Sequence, residues 1–220
     1  MLQYAERKMD ENKYLKDYLL FFAHEADFNI TDVNIEKHRE MMPDSVKDML
    51  MHDKDLPEDM KEKLRNQPYI ERKNAIFEHS VTNERGEERY NLSDDQQSDG
   101  TKRTLGIEAA IQSCIENNRL LPIDEIERSL HPTLLEFILK EYLSKKSESQ
   151  LLVTTHYDVL LNCVDKFIRK DSVWFTEKRP DGSTKIYPLT SVKGINKMRN
   201  LQKRYSEGNL VNARPRISIY

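Results

Sequence analysis

The sequence predicts an α/β protein: a parallel sheet flanked by helices, with a helical arm before it and a β-hairpin after it. Three observations carry this. Two short, wholly apolar runs, Leu120–Ile123 and Leu151–Val153, are separated by an amphipathic stretch that opens at Pro132. Strands read this way when helices cover a parallel sheet on both faces. Between Met41 and Leu64 the chain is charged, Met-rich and broken by Pro43 and Pro57, the pattern of short helices on a protruding arm or lid. Near the end, Val173-Trp174-Phe175 and Ile186-Tyr187 flank Pro180-Asp181-Gly182, a hairpin turn signal.

Each element has its own signal. Tyr14, Leu15, Tyr18, Leu19 and Phe22 recur at helical spacing and predict a helix over residues 11–26. Phe28, Ile30, Val33 and Ile35 then read as extended. Residues 70–92 read as a hairpin, with Ala75, Phe77 and Val81 going out, a turn at Asn83-Glu84-Arg85-Gly86, and Tyr90 and Leu92 returning. A helix starts after Ser98-Asp99-Gly100 and carries Leu105, Ala109, Ile111, Cys114 and Ile115. Pro132 suits the first helical position, and Leu134, Leu135, Ile138, Leu139, Tyr142 and Leu143 form the stripe behind it. A further helix is expected through Val159, Leu160 and Leu161, and Trp174 is expected to pack the C-terminal hairpin. Three regions result: a helical arm over 1–68, the α/β part over 69–190 and a basic tail over 191–220.

Composition narrows the function. The 220 residues have a net charge of −3, with 33% charged and 37% hydrophobic residues, enough for one large domain or two small ones. No stretch approaches the roughly 18 apolar residues of a membrane span. The first residues have no apolar core of a signal peptide, and the two cysteines, Cys114 and Cys163, are too few for a disulfide framework or a Cys-based zinc site. A reducing cytoplasm is the expected location. Charge is uneven: residues 1–64 hold ten Lys/Arg against sixteen Asp/Glu, whereas 191–220 hold seven against one. A basic end of this kind can follow nucleic-acid phosphates or simply be a solvated surface. His24 and Asp27 fall one helical turn apart with no third ligand evident, so His24-Glu25 with Asp27 reads as a solvated helix end. Without a G-x-S-x-G elbow, no hydrolase triad is indicated. Only six glycines occur, none spaced as G-x-x-x-x-G-K-[ST] or G-x-G-x-x-G.

In a parallel α/β sheet, function collects at the carboxyl ends of the strands. The first predicted strand delivers Asp124 and Glu125 there, and the second delivers His156. An Asp in that position can hold Mg²⁺ through water, and a Glu can polarise an attacking water. An imidazole on the neighbouring strand can reach a γ-phosphate oxygen.

Order and spacing extend this. Ser98-Asp99-Gly100-Thr101-Lys102-Arg103 opens a helix, and Leu120-Leu121-Pro122-Ile123-Asp124-Glu125 follows about 20 residues later. Ser129-Leu130-His131-Pro132 and Leu151-Leu152-Val153-Thr154-Thr155-His156 complete the series. This resembles the second half of an ABC-type ATPase head, with signature motif, Walker B, D-loop and switch histidine in that order. The likeness is greatest to the ABC-like AAA-family ATPases of bacterial phage defence and DNA repair, the abortive-infection and RecF-like group. Members of that group often carry S-D-G-T-K-R, I-D-E-[IL]-x-x-S-L-H-P and a W-F-x-E-K strand, here Trp174 to Lys178.

The resemblance covers about residues 70–190 and implies a P-loop NTPase-like fold that binds and hydrolyses ATP with Mg²⁺. It makes Asp124 the magnesium residue, Glu125 the general base and His156 the γ-phosphate sensor. It places Ser98, Asp99, Gly100 and Thr101 in the loop that meets ATP held by a partner subunit, and Ser129 to Pro132 along the dimer seam. The implied partners are a second copy or a Walker A-bearing lobe, with a nuclease or DNA as a further binding partner, and no membrane. Two departures stand out. Pro122 gives up a ladder N–H inside a strand. Nothing before Ser98 supplies a Walker A loop or a Q-loop glutamine, so the chain reads as the C-terminal part of such an ATPase. The competing reading is a catalytically silent fragment that serves as a protein-interaction or DNA-binding module.

Overall fold

A computed structural model describes residues 2–66, 69–84, 86–208 and 210, the side chains of 70–73 excepted. The chain divides into two compact units, Met1–Gln112 and Ser113–Tyr220, rather than at the 68/69 and 190/191 boundaries that composition marks.

The first unit is built on an antiparallel sheet. Helices α1 (Leu2–Glu11) and α2 (Lys13–Glu25) meet at Asn12, whose side chain accepts the Leu15 N–H at 3.2 Å and so caps α2. Strands β1 (Ile30–Met41), β2 (Tyr69–Asn83) and β3 (Gly86–Ser93) pair in the order β1-β2-β3. Val33 lies opposite Phe77 and Ile35 opposite Ala75. The α2 stripe of Leu15, Leu19 and Ala23 is buried with Ala5, Met9, Ile30, Val33, Ala75 and Phe77, joined by Leu105 and Ala109 of helix α5 (Asp99–Glu116). The region expected to be a helical arm therefore contains a 12-residue strand and two core helices. Its arm-like part is α3 (Asp44–His52) and α4 (Glu58–Asn66), which bury no residue. The β2–β3 turn closes with Asn83 opposite Gly86. Gly86 has φ +115°, a conformation that glycine adopts without strain; Arg85 lies outside the described residues.

The second unit holds the parallel pair. Strands β4 (Leu120–Ile123) and β5 (Gln150–Val153) are joined through α6 (Pro132–Ser144) and run parallel, with Leu121 opposite Leu151 and Ile123 opposite Val153. Pro132 begins α6 as expected, with His131 as its cap, and Leu135, Ile138 and Leu139 are buried. Pro122 is accommodated by the ladder itself. Arg119 and Ile123 supply the carbonyls that bond β5 (Gln150 N–H at 2.9 Å and Thr154 N–H at 3.1 Å). Alternate residues of a parallel strand bond the same neighbour, so the missing N–H of Pro122 falls on the edge turned away from β5.

The expectation of a sheet covered on both faces is corrected. Leu121, Ile123, Leu151 and Val153 turn inward, but Leu120 and Leu152, on the other face, are each 59% exposed. The run through Val159 to Leu161 is a 3₁₀ turn over Asp158–Cys163, not an α-helix. Its apolar residues are consecutive rather than spaced by a helical turn, and Asp165 at φ +68° ends the segment.

The C-terminal hairpin forms from β6 (Trp174–Lys178) and β7 (Thr184–Pro188). Trp174 does not pack it: strand alternation puts Trp174 outward at 58% exposure, and Phe175 packs instead on Tyr187 and Tyr205. The segment expected to be a basic tail also contributes core, since Ile195, Leu201 and Leu210 bury with Leu161, Val164 and Leu189. Within it, helix α7 spans Leu201–Ser206; residues 209 and 211–220 lie outside the described residues. No helix among the described residues is long and apolar enough to cross a membrane.

Candidate active site

Asp124 and Glu125 follow β4 directly, and Thr154, Thr155 and His156 follow β5, so the parallel register delivers both sets to the same end of the pair. The Thr154 N–H bonds the Ile123 carbonyl, and the Ile126 N–H bonds the Thr154 carbonyl, both at 3.1 Å. The Thr154 hydroxyl donates to Asp124 Oδ1 and accepts the Glu125 N–H at 2.9 Å. Glu125 has φ +45°, a left-handed conformation that a side chain with a Cβ adopts at a cost of about 1–2 kcal/mol. Its Oε1 stands 3.7 Å from His156 Nε2, and the His156 side chain is 82% exposed. That separation permits an ion pair with a protonated ring but exceeds a hydrogen bond.

A second tie lies two residues further along each segment, from Glu125 to Glu127 and from Thr154 to His156. Glu127, 6% exposed, accepts the His156 backbone N–H at 2.7 Å. Burial raises the Glu127 pKa, but bonds from the backbone N–H groups of His156 and Glu127 itself, and from the Thr155 side chain, outweigh it and leave the carboxyl below its ordinary value. Ser129 is also left-handed, at φ +61°, and the Tyr157 hydroxyl reaches the Leu130 carbonyl at 3.4 Å. Sequence reading missed Thr154 and Glu127, because their roles consist of bonds between segments about 30 residues apart.

The other expected site residues lie in the first unit, at the start of α5. The Ser98 hydroxyl accepts the Thr101 N–H at 3.0 Å and lies 2.8 Å from the Thr101 hydroxyl. Asp99 pairs with Lys102 at 3.2 Å, and the Gly100 carbonyl accepts the Thr104 hydroxyl at 2.8 Å. Ser98 is thus the cap of an 18-residue helix, and Gly100 lies inside its first turn. Helix N-termini favour anions through unpaired N–H groups and the helix dipole.

Among the described residues, no three His, Cys, Asp or Glu side chains cluster as a metal cage. A single exposed carboxylate such as Asp124 fits Mg²⁺ only in the way that ion is usually held in nucleotide sites, with phosphates and water supplying the other oxygens. His24 pairs with Glu25 at 3.4 Å and is solvated, as expected of a helix end.

No curated protein matches the chain. A family pattern does: residues 6–162 match the family described as "AAA domain, putative AbiEii toxin, Type IV TA system". That span takes in both units' candidate residues, from Ser98 to His156. A mixed α/β chain with a parallel strand pair ending in Asp-Glu and His is in keeping with it, and the chain belongs to this family of AAA, P-loop-type ATPase domains.

Proposed function

We propose that the chain is the part of an ABC-type ATPase head that carries signature, Walker B and switch residues, and that it hydrolyses ATP with a Walker A-bearing lobe that these 220 residues do not supply. The observation that carries this is the meeting of Asp124, Glu125 and His156 at the ends of two parallel strands, with Glu125 Oε1 3.7 Å from His156 Nε2. In this reading Glu125 takes a proton from the attacking water. His156 meets the γ-phosphate, and Asp124 would hold Mg²⁺, which neutralises phosphate charge when bound. Ser98, Asp99, Gly100 and Thr101 present the N-terminus of α5 to ATP held by a second head. Ser129 to Pro132 line the seam of that ATP-bridged dimer.

Two features support the partner lobe. Among the described residues β4 and β5 pair only with each other, and the Leu120/Leu152 face is open to solvent. The resemblance of the motifs supports a role in phage defence or DNA transactions, the two lone cysteines support a cytoplasmic location, and the basic 191–220 segment supports a nuclease or DNA as partner. In the presence of a Walker A-bearing lobe, Glu125→Gln is expected to reduce ATP turnover by at least about 100-fold. An unchanged rate would remove the enzyme reading.

A second reading has its own observation, the seven Lys/Arg against one Glu over 191–220 in a chain without a phosphate loop. A silent DNA-binding module would show no turnover with any lobe, and an affinity for DNA that falls steeply with salt.

A further inference from the structure

Thr154 makes four hydrogen bonds to the last residue of β4 and the segment after it. Two are backbone bonds that any residue but proline could share: N–H to Ile123 and carbonyl from Ile126, both at 3.1 Å. The other two need a hydroxyl at this position, one donated to Asp124 Oδ1 and one accepted from the Glu125 N–H at 2.9 Å. A hydroxyl has one proton and two lone pairs; here the proton goes to one candidate functional carboxylate and a lone pair to the backbone of the other. That backbone is left-handed, at φ +45°, and a residue with a Cβ keeps such a conformation when its surroundings hold it there.

We propose that Thr154 is the positioning residue of this site. Its hydroxyl fixes the direction in which the Asp124 carboxylate faces and holds Glu125 in its turned conformation. The magnesium residue and the general base are thereby set by one side chain on the neighbouring strand. The inference rests on the ATPase reading for the roles of Asp124 and Glu125, while the hold itself is a property of the chain alone. Hydrogen-bonding partners behind a metal-binding carboxylate commonly govern ion affinity by 10- to 100-fold. Thr154 is a residue of that kind.

The test uses Thr154→Val, which keeps the shape and removes the hydroxyl, and Thr154→Ser, which restores it. In the chain alone, hydrogen exchange at the Glu125 amide is expected to quicken about tenfold in Thr154→Val and to stay near the wild-type rate in Thr154→Ser. Unchanged exchange of the β5 amides serves as the control for folding. With a Walker A-bearing lobe and ATP, Thr154→Val is expected to raise the half-saturating Mg²⁺ concentration by about 10-fold or more, with Thr154→Ser restoring it. If Glu125→Gln abolishes turnover while Thr154→Val leaves both the exchange and the Mg²⁺ dependence unchanged, the positioning role is overturned and the ATPase reading stands. If Glu125→Gln turns over normally, the ATPase reading falls, and the exchange result alone decides whether Thr154 holds Glu125.

Discussion

Glu127 shows how one buried carboxylate can govern an exposed residue by holding its backbone. Its Oε1 accepts the His156 N–H at 2.7 Å, so the position of His156 depends on a group three residues past Asp124 on the other segment. Glu127→Ala would leave that N–H without its partner, at an expected cost of about 1–3 kcal/mol; Glu127→Gln keeps an acceptor and should cost less. The pH dependence has a definite sign. The Glu127 carboxyl lies below its ordinary value when folded, so its contribution is complete above the unfolded value of about 4.3. That contribution is lost as pH falls through the folded value. Urea denaturation at pH 7 and pH 3 should therefore show the gap between wild type and Glu127→Gln narrowing in acid. A gap of constant size would mean the charge contributes nothing.

At the scale of elements, what was legible in sequence was what local pattern determines. The β4–α6–β5 unit, both hairpins and the start of α5 each have a turn residue, a cap or a run of fixed period, and residues such as Pro132 and Gly182 mark them. Helix α1 has no such signal: it is held by Ala5 and Met9 in a core assembled from distant strands. The inward turn of Phe175 rather than Trp174 depends on strand register, which the large ring of Trp174 does not reveal. Helix α5 poses a sharper question, because Ser98 caps it whether or not it also meets a phosphate. Aspartate caps a helix about as well as serine and suits its positive end, but it repels an anion. Ser98→Asp should keep stability near wild type, while Ser98→Ala should lose about 1 kcal/mol. If Ser98 serves ATP, turnover with a Walker A-bearing lobe should fall on the order of 100-fold in Ser98→Asp. A variant that is stable and fully active would reduce Ser98 to a cap.

For the whole molecule, the open face of the parallel pair is the feature that sequence reading misplaced. Short apolar strands predict burial on both sides; Ile123 is buried and Val153 half-buried on the inward face, yet Leu120 and Leu152 are each 59% exposed. The same composition that argues for a covered strand is here an uncovered surface, which suits a site completed by another lobe. A glutamate at Leu152 separates folding from assembly. The side chain is largely solvated in the chain alone, so Leu152→Glu should change unfolding free energy by no more than about 0.5 kcal/mol. Against an apolar partner surface the new carboxylate would be stripped of water without a counter-charge. Association with a Walker A-bearing lobe should therefore weaken by at least about tenfold, equivalent to about 1.4 kcal/mol. Titration calorimetry with that lobe would measure it, with Glu148→Gln as a control at an exposed site on the loop before β5. Equal affinity for wild type and Leu152→Glu would show that the face stays open in the assembled head, and the case for a covering lobe would then rest on the motifs alone.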